Sequence, residues 1–121
     1  MVKARREGFP RQYRIVRSSD YRAIYSSGLK VNSERFVLFG RENNLDHHRL
    51  GITVSRKIGG AVVRNRVKRL FREIFRKSSS DLPNHCDLVV NAKRACAAAP
   101  YGSLREEFVG SVQTICRKVA G

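Results

Sequence analysis

A chain of 121 residues is the size of one domain and can bury about two thirds of its unfolded surface without disulfide or metal staples. Its 25 Lys and Arg residues against 10 Asp and Glu give a formal charge of +15, a self-repulsion that selects for an anionic partner such as nucleic acid or a membrane surface. No apolar run approaches the ~20 residues of a membrane span, the start MVKARREGFPRQYR lacks the apolar block of a secretory signal, and Cys86, Cys96 and Cys116 match neither a disulfide framework nor a CxxC zinc pattern, which points to a cytoplasmic protein.

Residues 1–17 carry Lys3, Arg5, Arg6, Arg11, Arg14 and Arg17 with few large apolar residues, and read as a flexible basic arm ahead of a single domain over 18–121. Ser18 or Ser19 can cap a short helix on which Tyr21, Ile24 and Tyr25 fall at i, i+3 and i+4, and Gly28 closes it. From Val31 the period changes to two: Phe36 and Leu38 face one way, Val37 and Phe39 the other. After the polar segment GRENNLDHH, Leu50, Ile52 and Val54 alternate with Gly51, Thr53 and Ser55, and two strands so joined predict an antiparallel hairpin. Gly59 and Gly60 end that pattern, and a helix runs from about Ala61 to Lys77. A loop containing Pro83 leads to the strand DLVVNA, Asp87 to Ala92, which is apolar on both faces at its centre, as in a sheet interior. Residues 95–100 are ambiguous. The last helix opens at Ser103, which has capping-box spacing to Glu106, and Leu104, Phe108, Val112, Ile115 and Val119 line one face of it. The order α-β-β-α-β-α puts the chain in the α+β class, a small sheet packed with helices.

The chemistry concentrates in GAVVRNRVKRLFREIFRK, Gly60 to Lys77. On a helical wheel Val63, Val67, Leu70, Phe71 and Ile74 share one arc, with Phe75 at its edge, while Asn65, Arg66, Lys68, Arg69, Arg72 and Arg76 lie opposite and Arg64 at the boundary. From Arg56 to Lys77 there are nine basic residues and one acidic residue, Glu73. A solvated helix mixes charge signs, because opposite i,i+4 pairs stabilise it; here Arg64, Lys68, Arg72 and Arg76 repel one another. Phosphate contact accounts for that cost, and arginine's planar fork suits it. Tyr21 and Tyr25, one turn apart, with Phe39 on a strand, add rings on which single-stranded bases could stack, which favours RNA over a duplex-DNA reader; Phe36 reads as core. No Ser, His and acid constellation is visible, and His47, His48 and His85 lack ligand-spaced partners, so neither a catalytic residue nor a metal site is expected.

The segment RLGITVSRKIGGAVVRNRVKRLFREIF, Arg49 to Phe75, resembles the signature region of the protein component of bacterial ribonuclease P. VSRKIG, Val54 to Gly59, is similar to the family's strand end, and RNRVKR, Arg64 to Arg69, to its helical motif; SSDYRAIYSSG, ERFVLF, DLVVNAKRA and the Ser103 to Lys118 segment extend the resemblance over nearly all of the chain beyond the arm. It implies the family's α/β sandwich with an unusual left-handed βαβ crossover. It implies a subunit of an RNA-based endoribonuclease, in which a catalytic RNA, requiring Mg2+, removes the 5′ leader of precursor tRNA while the protein binds that RNA and the leader. Carried over, Arg56, Lys57, Arg64, Asn65, Arg66, Lys68, Arg69, Arg72 and Arg76 would contact RNA, and Tyr21, Tyr25 and Phe39 would line the leader cleft. Neither a polypeptide-bound cofactor, an obligate protein partner nor a membrane is implied. Arg56 stands where the family commonly has Lys, and the cleft rings are Tyr, Tyr and Phe where Phe, Phe and Tyr are frequent. By charge, size and fold class alone, a structural ribosomal-type RNA-binding protein fits equally well, and a nuclease acting alone is a third reading.

Overall fold

The computed structural model describes residues 10–78 and 85–120, with side chains as far as residue 118. Residues 1–9 of the expected arm, the loop with Pro83 and the side chain of Val119 lie outside them. The helices are α1 (Ser18–Ser27), α2 (Ala61–Ser78) and α3 (Tyr101–Ala120); the strands are β1 (Leu29–Asn32), β2 (Phe36–Glu42), β3 (Arg49–Thr53) and β4 (Cys86–Ala92). Short 310 segments cover Arg11–Tyr13, Arg56–Ile58 and Arg94–Ala98. The order is therefore α-β-β-β-α-β-α. The additional strand, β1, follows α1 directly, and its four residues are too short a run for alternation to register.

The strands form one mixed sheet in the order β1-β2-β4-β3. The expected hairpin between the strands now numbered β2 and β3 does not form: β4 lies between them, antiparallel to β2 and parallel to β3. The cause is β4 itself. Leu88, Val89 and Val90 are fully buried, so this strand needs a paired neighbour on both sides and cover on both faces. The hairpin that does form joins β1 to β2, with Asn32 opposite Val37 and the Ser33 N–H donating to the Phe36 carbonyl at 2.9 Å.

Alternation assigns the two faces. Phe36, Leu38, Leu50, Leu88 and Val90 enter the main core with Val67, Phe71 and Ile74 of α2 and Leu104, Phe108, Val112 and Ile115 of α3. Phe36 meets Phe71 edge-on at 5.5 Å between centroids. Phe39 and Val89 point the other way and pack with Ile15 and with Ile24 and Tyr21 of α1. Burying these apolar side chains stabilises the fold by about 1.5–3 kcal/mol for each large one.

Three local expectations change. Neither Ser18 nor Ser19 caps α1; Arg17 stands at that position, its carbonyl accepting from the Tyr21 N–H at 3.2 Å. α3 starts two residues before Ser103, because the Pro100 carbonyl accepts the first helical bond from the Leu104 N–H at 3.1 Å, which leaves Ser103 inside the first turn. Residues 10–17, expected within the arm, pack on the sheet: Arg14 pairs with Leu50 in a single parallel bridge, the Ile15 N–H donates to the Leu50 carbonyl at 3.0 Å, and Ile15 is buried. A lone isoleucine amid arginines carries little weight in composition but fills a gap on the sheet.

Candidate nucleic-acid interface

On α2 the apolar arc is buried as its periodicity requires, with Val67, Phe71, Ile74 and Phe75 in the core. The opposite arc faces outward. Arg56, Lys57, Asn65, Arg66, Arg69 and Arg76 are exposed, and Arg64, Lys68 and Arg72 are half-buried. Glu73, the one acidic residue of the helix, takes Arg76 at 2.7 Å and Lys77 at 3.2 Å, and both bases hold its carboxyl below the ordinary range. The C-terminal end of the arc is thus partly neutralised, whereas no acidic partner meets Arg64, Lys68, Arg69 or Arg72 among the described residues. The Nε of Arg64 is buried with no hydrogen-bond partner among those residues. An unpaired buried donor costs free energy until an acceptor arrives. Arg66 differs, because its Nη2 donates to the Ala97 carbonyl and ties α2 to the 310 segment ahead of α3.

The three aromatic candidates come together on the other face of the sheet. Tyr25 meets Tyr21 at 6.3 Å between centroids and Phe39 edge-on at 4.9 Å. The Tyr21 ring lies where a strand side chain would stand: a Cβ on Gly51 would come within 2.6 Å of its Oη and 2.8 Å of its Cζ. The Ile52 backbone lies near enough to the Tyr21 hydroxyl to lower its pKa slightly, and the Leu50 carbonyl two residues before it receives Ile15. Burial, with Tyr25 adding to it, raises the pKa of this hydroxyl. Tyr25 is more open, 38% exposed, and its hydroxyl donates to Asn91 Oδ1 at 2.8 Å. Lys30 Nζ lies 5.9 Å from the Phe39 ring centre, a cation beside the aromatic group.

One residue of the basic arc, Arg72, comes near the aromatic group. Arg72 of α2 is close enough to Arg14 and Tyr21 to sense both: burial, then the Arg14 charge, lowers its pKa, and Tyr21 opposes them. Sequence reasoning missed Gly51, Asn91 and Arg14. Gly51 carried a signal, since glycine inside a strand often marks a close approach by another group. Asn91 carried a weaker one, a polar residue after a buried apolar run.

Among the described residues no group of three His, Cys, Asp or Glu side chains is placed to hold a metal ion. The cysteines are free thiols; burial pushes Cys86 up to about 12 and Cys96 up to about 11, which leaves them protonated and unreactive. His48 is buried, and its Nδ1 accepts from the Cys86 N–H at 3.1 Å.

Known proteins resemble the chain over most of its length. The sequence model of the family described as Ribonuclease P matches residues 9–116. The chain is 41% identical over 102 residues to the ribonuclease P protein component of Thermotoga petrophila, covering 84% of this chain and 80% of the relative. It is 38% identical to that of Desulfovibrio desulfuricans, covering 97% and 93%. The solved structure of the RNase P protein from Thermotoga maritima superposes with a TM-score of 0.78 at 33% identity, over 84% of this chain and 96% of that one.

Proposed function

The chain belongs to the family of bacterial ribonuclease P protein components, subunits of an RNA-catalysed endoribonuclease of tRNA processing, and we propose that α2 docks on the catalytic RNA while the cleft of Tyr21, Tyr25 and Phe39 takes the single-stranded 5′ leader of precursor tRNA. The observation that supports the reading is a basic arc on α2 whose Arg64, Lys68, Arg69 and Arg72 meet no acidic partner among the described residues, together with three contiguous rings on α1 and β2. Phosphates of a folded RNA meet the first; unpaired bases stack on the second.

The polypeptide's part is differential binding. The RNA performs the magnesium-dependent hydrolysis of the phosphodiester, and the protein holds a leader that only the precursor has. Precursor is therefore captured in preference to mature tRNA, and the product leaves once the leader is cut away. The reading assigns the chain to the cytoplasm, alongside its substrate; no helix among the described residues is long and apolar enough to cross a membrane.

The test is reconstitution. Precursor tRNA is incubated with the chain, with a bacterial ribonuclease P RNA, and with both, at near-physiological magnesium. Cleavage at the leader junction that is much faster with both is the expected result. Equal rates with and without the chain would overturn the proposal, and cleavage by the chain alone would assign hydrolysis to the polypeptide.

A further inference from the structure

On the sheet face that α1 packs against, the row at the Tyr25 hydroxyl holds two polar residues and a valine. In the strand register Val37 stands opposite Asn91, and Asn91 opposite Thr53. Each lies two residues from Phe39, Val89 or Gly51 on its own strand, hence on the same face. Asn91 and Val37 are half-buried and Thr53 is exposed. The Tyr25 hydroxyl spans this row, donating to Asn91 Oδ1 at 2.8 Å with Thr53 Oγ1 3.4 Å away.

An asparagine is a poor choice for an interior strand, where β-branched and aromatic residues fit the pleat. Its neighbours Val89 and Val90 follow that rule and are fully buried. The bond from Tyr25 fixes one end of the Asn91 amide and turns the other end away. The Nδ2 group, with two N–H donors, has no protein partner among the described residues. The amide also sits at the hydroxyl end of the most exposed ring of the cleft. A base stacked on Tyr25 extends one edge over that end, which puts its acceptors within reach of Nδ2.

We infer that Asn91 is a base-contacting residue of the leader cleft, its Nδ2 donating to an acceptor on the edge of a leader base stacked on Tyr25, with the Tyr25 hydroxyl holding the amide in orientation. The inference rests on the leader-cleft reading above. It makes the cleft responsive to the hydrogen-bonding edge of one nucleotide, whereas stacking alone tolerates any base. Tyr25 then has two roles, a stacking surface through its ring and a positioning group through its hydroxyl.

The test uses the chain assembled with the catalytic RNA. Precursor affinity is measured for leaders in which one nucleotide at a time is made abasic, or is replaced by an aromatic isostere of the same shape that forms no hydrogen bonds. These are compared for wild type, Asn91→Val and Tyr25→Phe, with mature tRNA as the leaderless reference. At one leader position the isostere should cost wild type about three- to tenfold, the worth of one hydrogen bond. The same replacement should cost Asn91→Val little, and Tyr25→Phe an intermediate amount, because the phenylalanine ring still stacks but no longer orients the amide. If an abasic site weakens binding while isosteres are harmless throughout, or if Asn91→Val and wild type lose equally, Asn91 makes no base contact and the cleft only stacks. If abasic sites are harmless at every leader position, the cleft reading itself fails.

Discussion

Gly51 and Tyr21 form a matched pair: the absent side chain of one makes room for the ring of the other. Gly51→Ala forces the Tyr21 ring to shift, since the new methyl would lie 2.6 Å from Oη. We expect a loss of about 1–3 kcal/mol in stability and a fall in the preference for precursor over mature tRNA toward that of Tyr21→Ala. That second variant removes a stacking surface worth about 1–3 kcal/mol per base. Because Tyr21 also packs on Ile15, Ile24 and Val89, its melting temperature should drop too. A Gly51→Ala protein with unchanged precursor preference would show that the glycine does not position the ring.

Asp87 is the second residue whose effect exceeds its size. It is 2% exposed and receives Arg49 through two bonds, Nε to Oδ1 at 2.8 Å and Nη2 to Oδ2 at 2.6 Å, with Asn43 Nδ2 on Oδ1 at 3.0 Å. Burial alone would raise its pKa, but the bonds from Arg49 and Asn43 outweigh it and hold the carboxyl below the usual range. A carboxyl lowered by folding contributes stability above its unfolded value of about 4 and loses that contribution as pH falls through the folded value. Asp87→Asn should therefore cost about 2–4 kcal/mol at neutral pH, by taking from the Arg49 guanidinium its buried, doubly bonded countercharge. Asp20, whose carboxylate lies 3.8 Å from Arg49 Nη2, then remains as the more distant countercharge, and the substitution should also flatten the acid limb of the stability profile, measured by denaturant melts from pH 7 to pH 2.

At the scale of the element, α2 combines two conditions that conflict in a free helix. Its apolar arc gains from burial, while its basic arc loses from i,i+4 repulsion that, among the described residues, Glu73 alone relieves. The first three turns bear most of the uncompensated charge, which makes Arg64 and Arg69 better probes than Arg76, already held by Glu73, or Arg66, already tied to the Ala97 carbonyl. Arg64→Ala with Arg69→Ala should weaken binding of the catalytic RNA and reduce the slope of log affinity against log salt by about 0.7–0.9 for each phosphate that the helix no longer neutralises. Because neither residue belongs to the core, the melting temperature should change little. An unaltered salt slope would count against phosphate binding on this arc.

The whole molecule carries +15, and salt acts on that charge in opposite directions in the two states. In the free protein, raising ionic strength from about 0.01 to 0.1 M shortens the Debye length from about 30 to 10 Å and screens self-repulsion, so the melting temperature should rise. In the complex the same change weakens the attraction to phosphate, so affinity should fall. Thermal melts and binding isotherms over one salt series test both; a free protein that melts lower as salt increases would mean that attractive pairs such as Arg49 with Asp87 govern its stability more than net charge does.

What the sequence determined was everything carried by period and by charge. The 3.6-residue period placed Val67, Phe71 and Ile74 in the core and the arginines outside; the two-residue period separated Phe36 and Leu38 from Phe39; the unbroken Leu88–Val90 run required an interior strand; and the RNRVKR and VSRKIG motifs identified the family. Strand neighbours were decided only in three dimensions. Backbone pairing is nearly indifferent to side chains, so alternation shows which face a residue takes but not which strand lies beside it, and β2 with β3 read as a hairpin until β4 came between them. The same holds for pairings between segments distant along the chain. Ile15 on Leu50, Tyr21 over Gly51 and Tyr25 on Asn91 each join residues that no local window contains, and they exist because folding brings complementary space and unpaired polar groups together.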